Sequence, residues 1–80
     1  NDSQAYYNRA IAKDELKDYY GAISDYTNAI EIDPNYKSAY KNRGISKENI
    51  GDLQGACDDW RKTVYLSPND AAAKWLRDQC

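Results

Sequence analysis

The chain has 80 residues, of which 11 are basic and 13 acidic, for a net charge of −2 at pH 7. It contains no basic run, so we expect no nucleic-acid partner. No apolar stretch approaches the roughly 20 residues that cross a bilayer, so we expect a soluble domain without membrane insertion. The length suits one small domain with a thin core. Because the chain begins at Asn1 and lacks methionine, we expect a removed leader or a piece of a longer product.

Four segments carry apolar residues at helical spacing, and a fifth follows. The first predicted helix spans about residues 3–16, with Ser3 as its cap. The second begins after a turn at Lys17 and Asp18. It ends before Pro34, because the proline ring disfavours helical geometry in the preceding residue.

The second pair of helices repeats this order. Its turn is predicted at Gly51 and Asp52, and its last helix stops at Ser67, before Pro68. A fifth helix is predicted from residue 71 to the end, capped by Asn69 and Asp70.

The two pairs are related by a shift of 34 residues, which is the strongest pattern in the chain. A fixed period of this length is typical of stacked helical hairpins, each burying its apolar face against the next. The identical pairs include Ala5 and Ala39, Tyr6 and Tyr40, Asn8 and Asn42, Arg9 and Arg43, Ile11 and Ile45, Lys13 and Lys47, Asp18 and Asp52, Gly21 and Gly55, Ala22 and Ala56, Asp25 and Asp59, and Pro34 and Pro68.

Small and large residues alternate within each unit as closely packed helices require. Small residues are expected where two axes approach, and bulky ones beside them. The small set is Ala10, Ala22, Ala29, Gly44 and Ala56, and the bulky set, which we assign to the core, is Tyr6, Tyr26, Tyr40 and Trp60.

This spacing resembles the tetratricopeptide repeat, in its bacterial versions in particular. The residues that carry the resemblance are Tyr6, Ala10, Tyr19, Ala22, Ile23, Tyr26, Ala29, Ile30 and Pro34, then Tyr40, Gly44, Gly51, Asp52, Leu53, Ala56, Trp60, Val64 and Pro68. The resemblance implies an all-α solenoid of antiparallel helical hairpins in a single domain, with repeats at 3–36 and 37–70 and a capping helix at 71–80. Two positions depart from it: Lys17 replaces a usual turn glycine, and Thr63 replaces a small alanine.

Residues equally far from a connecting turn face each other across an antiparallel hairpin. Arg9 and Asp25 are centred on one turn, and Arg43 and Asp59 on the other, so two ion pairs are predicted. If exposed to solvent, each contributes about 0 to 1 kcal/mol and acts mainly on register.

Cys57 and Cys80 are likewise centred on the turn at Pro68 and Asn69. They are either free thiols of a cytoplasmic protein or a disulfide that pins the last helix, and we favour the disulfide. The segment around Cys57 is also similar to exported bacterial repeat proteins. A disulfide therefore favours a periplasmic or extracellular location.

We find no constellation for catalysis, and we expect no enzyme, metal or cofactor. Histidine is absent, and two cysteines alone make no tetrahedral metal site. The adjacent carboxylates Asp58 and Asp59 point about 100° apart on a helix, so they do not converge on one substrate atom.

The resemblance implies instead that the first helix of each hairpin lines a concave groove for a peptide or partner helix. By position, the groove residues are Gln4, Tyr7, Asn8, Ile11, Ser38, Lys41, Asn42, Ile45, Ala72, Trp75, Leu76 and Gln79. Of these, the core does not obviously need Tyr7, Ile11, Ile45 and Trp75. Asn8 and Asn42 either bond a peptide backbone or satisfy helix ends, and Lys41 could meet a carboxylate.

Relatives that bind acidic chaperone tails use lysine, asparagine and arginine at five positions of this groove. Those positions are Tyr7, Ile11, Asn42, Ala72 and Leu76 here, and only Asn42 fits. We therefore expect an apolar, hydrogen-bonding groove. The function expected is a protein-interaction scaffold, and the alternative is a structural segment that self-associates through its exposed first helix and has no ligand.

Overall fold

The computed structural model describes residues 2–80 and shows five helices and no strand in that range. The helices are α1 (Asp2–Glu15), α2 (Tyr19–Ile32), α3 (Lys37–Asn49), α4 (Leu53–Leu66) and α5 (Ala72–Gln79). Each packs on the next in sequence, so α1 with α2 forms a first hairpin, α3 with α4 forms a second, and α5 packs against α4. The expected all-α solenoid is confirmed. No helix within residues 2–80 is long and apolar enough to span a membrane.

The two hairpin turns have the same construction. Asp18 caps α2 by accepting a hydrogen bond from the Gly21 backbone N–H at 3.1 Å, and Asp52 caps α4 through Gly55 at 3.0 Å. The residue before each cap has a left-handed backbone conformation, with φ of 63° at Lys17 and 85° at Gly51. Glycine adopts this geometry without strain, whereas lysine does not.

The core consists of two clusters, one between α1, α2 and α3 and the other between α4 and α5. The first contains five fully buried residues, namely Ala10, Ala22, Tyr26, Ala29 and Ala39, and the second contains Ala56, Trp60 and Ala72. Helices α3 and α4 approach closely at Gly44, where an added Cβ would lie 2.5 Å from Nε1 of Trp60. Small residues thus face large ones at the helix contacts, as the size pattern predicts.

Four details differ from the sequence-based expectations. Ser3 does not cap α1 but is buried inside it, because the helix already begins at Asp2. The last helix begins at Ala72 rather than at residue 71, and Asp70, one of its two expected caps, accepts from the Ala72 N–H at 3.0 Å. The other two concern Tyr6 and Tyr40, which are only half-buried: Tyr6 packs against the first cluster from outside, and the Tyr40 hydroxyl donates to the exposed carbonyl of Pro34 at 3.0 Å.

Both predicted ion pairs are present and bidentate. Arg9 donates through Nε and Nη2 to Asp25 at 2.8 Å in each bond, and Arg43 binds Asp59 at 2.8 and 2.6 Å. The carboxylates are not exposed, however, because their side chains retain only 2% and 4% of their accessible surface. The hydrogen bonds from Arg9 hold the pKa of Asp25 below its usual range, and Lys13, 3.1 Å away, adds to this effect.

Cys57 and Cys80 are joined as a disulfide, with their Cα atoms 6.0 Å apart. Cys57 is buried on α4 and Cys80 follows the last turn of α5. The bond therefore ties the end of the closing helix to the second hairpin.

Candidate functional site

The helices α1, α3 and α5 lie in a row and are linked by side-chain contacts. Nδ2 of Asn42 on α3 donates to the Tyr7 hydroxyl on α1 at 2.9 Å. On the other side of α3, Nζ of Lys41 lies 3.0 Å from Oδ1 of Asp70, which caps α5. The candidate site residues on this row are Tyr7, Asn8, Ile11, Ser38, Lys41, Asn42, Ile45 and Trp75, which we call the A-helix surface.

Tyr7 is the most constrained residue of this surface. Its ring stacks on Tyr36 at a centroid distance of 4.9 Å and contacts Tyr26 at 5.8 Å. Its hydroxyl receives the hydrogen bond from Asn42, which thus neither satisfies a helix end nor stays unpaired. Tyr7 is therefore held in one position with one side of the ring half-exposed.

The aliphatic and indole groups of the surface are also half-buried. Ile11 packs against the first core cluster, and Ile45 and Trp75 pack against the second. The Trp75 ring lies 5.2 Å from that of Trp60 in a tilted arrangement. The expectation that the core does not need Tyr7, Ile11, Ile45 and Trp75 is therefore wrong: each has one side against the core and the other at the surface.

Lys41 is committed to contacts inside the molecule. Its ammonium group pairs with Asp70 and lies 5.4 Å from the centroid of the Trp75 ring. Asp70 also pairs with Lys37, whose Nζ lies 3.5 Å from Oδ2. The backbone N–H of Ala72, followed by Lys41 and Lys37, lowers the pKa of Asp70. The positive charge of Lys41 is thus balanced before any ligand carboxylate arrives.

The remaining candidates differ in accessibility. The Asn8 side chain is exposed and makes no hydrogen bond to residues 2–80, whereas Ser38 is half-buried. Ala72 is fully buried in the second cluster and cannot line a groove.

The contacts that three residues make between helices were not predicted from the sequence. Tyr36 stacks on Tyr7, and Asp70 binds Lys41. Asp14 on α1 accepts hydrogen bonds from Ser46 on α3 at 2.7 Å and from the Tyr26 hydroxyl at 2.8 Å. The period could not reveal them because none has an identical partner 34 residues away.

The side chains of the A-helix surface can bind a partner through packing and hydrogen bonding. Within residues 2–80 no group of His, Cys, Asp and Glu side chains could hold a metal ion. Burial, aided by the bond to Asp14, raises the pKa of the Tyr26 phenol and keeps it protonated. The surface presents half-exposed apolar side chains fixed by hydrogen bonds and ring contacts.

Comparison with known proteins gives a consistent picture. Residues 3–36 match the family model of the tetratricopeptide repeat. The first TPR of Spaghetti (RPAP3) bound to the HSP90 peptide SRMEEVD is similar, with 32% identity, a TM-score of 0.90, and coverage of 94% of this chain and 60% of that one. The Arabidopsis OM64 TPR domain has 33% identity, a TM-score of 0.88, and coverage of 95% and 63%.

A crystal structure of MamA is similar at 25% identity and a TM-score of 0.87, with coverage of 96% of this chain and 51% of that one. No curated protein matches the chain. The chain thus spans 51 to 63% of the solved chains described here. The expected resemblance to tetratricopeptide repeats is confirmed for residues 3–36 and for the fold, and the bacterial type stays a prediction.

Proposed function

We propose that the chain is a non-catalytic protein-interaction module that binds a peptide or partner helix on its A-helix surface. The observation that carries this proposal is the set of large side chains, Tyr7, Ile11, Ile45 and Trp75, each packed on the core on one side and exposed on the other. Such anchors lose little conformational freedom on binding because they are already held. The likeness to a TPR domain bound to an HSP90 peptide supports the same use of the fold.

The charges of the surface indicate the chemistry of the partner. The peptide in the Spaghetti structure carries two glutamates and a terminal aspartate. In this chain Lys41 is balanced by Asp70, and Asn42 is bonded to Tyr7. We therefore propose a partner segment that inserts apolar side chains and bonds through its backbone, rather than an acidic tail.

A ligand-free structural role is less well supported, because a purely structural surface needs no half-exposed aromatic anchors. We propose that the chain is not an enzyme and has no nucleic-acid partner. Residues 2–80 show no group of side chains that could hold a metal ion, and the chain has a net charge of −2. The disulfide favours an exported protein. We further propose that the chain is a bacterial-type scaffold with the repeat boundaries given above.

A peptide-array experiment tests this proposal directly. The immobilised chain is probed with randomised peptides, and binding is compared with that of a Tyr7→Ala, Ile45→Ala variant. The matched control is Tyr65→Ala, Ile32→Ala, which removes the same side-chain types from exposed positions on α4 and α2. We expect the first variant to lose at least tenfold in affinity and the control to bind normally.

Because Tyr7 packs on the core, folding of the first variant is checked by circular dichroism. Asn8→Glu serves as a second variant, since Asn8 is exposed and outside the core. Equal peptide binding by wild type and both groove variants would reject the A-helix surface as the site.

A further inference from the structure

One face of α1 remains uncovered in the described chain. Asp2, Ala5, Tyr6 and Arg9 follow one another at steps of three, one and three residues and border an open groove of about 430 Å³. These steps place the four side chains on one side of a helix. We call this set the N-terminal stripe.

The equivalent stripe of the second hairpin is covered by α2. Ala39 is fully buried there, in one cluster with Ala22 and Ala29 of α2. Nη1 of Arg43 donates to the Thr27 hydroxyl at 3.1 Å. In the N-terminal stripe Ala5 is exposed instead. Arg9 binds Asp25 on α2 but has no partner within residues 2–80 that corresponds to Thr27. The stripe thus has the composition of a packing face without its partner.

We propose that the N-terminal stripe is the contact of a symmetric homodimer in which two α1 helices pack antiparallel. The stripe is self-complementary: its acidic end is Asp2, its basic end is Arg9, and Ala5 and Tyr6 lie between them. A two-fold axis midway between Ala5 and Tyr6 places each carboxylate opposite the partner's guanidinium. It also places each small side chain opposite a tyrosine ring. Isologous interfaces require this kind of pairing.

Arg9 can serve the second copy without releasing its own hairpin. Nε and Nη2 are used by Asp25, while Nη1 makes no hydrogen bond to residues 2–80 and the side chain is 60% exposed. Arg43 shows that this double use is feasible, because it binds Asp59 and Thr27 together. The Asp2 carboxylate of a second copy would take the place that Thr27 has on Arg43.

Head-to-tail stacking of copies is not available in the described chain. The face of α4 that corresponds to the covering face of α2 already carries α5, through the contact of Trp60 with Trp75 and the Cys57–Cys80 disulfide. The exposed face of α1 stays open to a second copy, and a symmetric contact between two α1 helices gives a closed dimer rather than a filament.

The dimer would be small and sensitive to salt. The stripe is about 10 Å long at 1.5 Å per residue, well short of a standard-size interface. Its end contacts are ion pairs, which salt screens. At about 100° per residue the stripe lies on roughly the opposite side of α1 from Tyr7 and Ile11. Dimerisation thus leaves the A-helix surface open, and either proposal can fail without the other.

Sedimentation equilibrium of the 80-residue chain, from about 10 µM to about 1 mM, tests the dimer. The variant Ala5→Glu adds a charge and bulk at the centre of the stripe without touching the core, and the matched control Ser24→Glu adds the same group at an exposed position of α2. We expect dimerisation at least tenfold weaker for Ala5→Glu and unchanged for Ser24→Glu.

Nuclear Overhauser contacts in a mixed sample of labelled and unlabelled chains locate the interface. We expect a contact between the Ala5 methyl group of one copy and the Tyr6 ring of the other. A chain that stays monomeric at the highest concentration would overturn the proposal. So would oligomers larger than a dimer, or a dimer that Ala5→Glu leaves intact.

Discussion

The two hairpins share their sequence pattern but not their burial. In each, an arginine of the first helix holds an aspartate of the second, with Nη2 to Oδ1 distances of 2.8 and 2.6 Å. Yet the Arg9 side chain is 60% exposed and that of Arg43 only 16%, because α2 covers α3 and no helix within residues 2–80 covers this face of α1. The neighbour of a repeat, rather than its own residues, thus decides how much each contact contributes.

A second difference concerns the large buried aromatic residue of each hairpin. The Tyr26 hydroxyl donates to Asp14 at 2.8 Å. At the equivalent position, Nε1 of Trp60 has no hydrogen-bond partner among residues 2–80 and lies against Gly44. An unsatisfied buried donor costs about 1 to 3 kcal/mol in folding free energy. The second hairpin thus lacks the hydrogen bond that the first one makes, and has close packing of Trp60 on Gly44 in its place.

The largest expected contrast is between Asp59→Ala and Asp25→Ala. Removing Asp59 leaves the Arg43 charge largely buried, which costs about 3 to 5 kcal/mol. Arg9 can turn toward water when Asp25 is removed, so we expect the free energy of unfolding to fall by only about 1 kcal/mol. Urea unfolding of both variants measures this difference. Equal losses would contradict the role assigned to the covering helix.

The closing helix gives the next contrast. Cys80 corresponds to Ser46 after a shift of 34 residues. Ser46 is held by a hydrogen bond to Asp14, and Cys80 by a covalent bond to Cys57. We expect the free energy of unfolding to fall by about 3 kcal/mol in the Cys57→Ser, Cys80→Ser variant and by about 1.5 kcal/mol in Ser46→Ala. Intact mass after alkylation without reducing agent checks the premise, and two alkylated cysteines would refute it.

Gly44 and Ala10 occupy equivalent positions against different aromatic residues. Gly44→Ala would place Cβ 2.5 Å from the Trp60 ring nitrogen, and this overpacking costs about 2 kcal/mol. The reverse change, Ala10→Gly, costs about 1 kcal/mol through helix propensity. Thermal unfolding distinguishes the two. A neutral Gly44→Ala would show that Trp60 can move aside.

The hairpin turns allow a smaller test with opposite signs. Lys17 is left-handed at φ 63° and Gly51 at φ 85°. Replacing Lys17 by glycine removes the backbone strain and should stabilise by about 1 kcal/mol. Gly51→Ala introduces the same strain and should destabilise by a similar amount. Midpoints of chemical unfolding that move in the same direction would contradict this explanation.

The sequence predicted contacts within hairpins better than contacts between them. Arg9 and Asp25 could be paired because residues equally far from a turn face each other. The offset between successive hairpins has no such rule, so the bond of Asn42 to Tyr7 and the pairing of Lys41 with Asp70 were missed. Asp70 was correctly identified as a cap, but its second role depends on where α3 lies.

The smallest expected effect is the pH dependence of the contact between α3 and α5, which has no counterpart between α1 and α3 because Tyr36 replaces Asp70 there. The pKa of Asp70 is lowered in the folded chain by the Ala72 N–H, Lys41 and Lys37. The stabilisation is therefore complete above the unfolded value of about 3.9 and is lost as pH falls through the folded pKa. Asp70→Asn keeps the cap acceptor but lacks the charge. Wild type should melt higher than Asp70→Asn above about pH 5, and the difference should shrink on acidification. A difference that does not change with pH would mean that the lysines contribute nothing through the charge of Asp70.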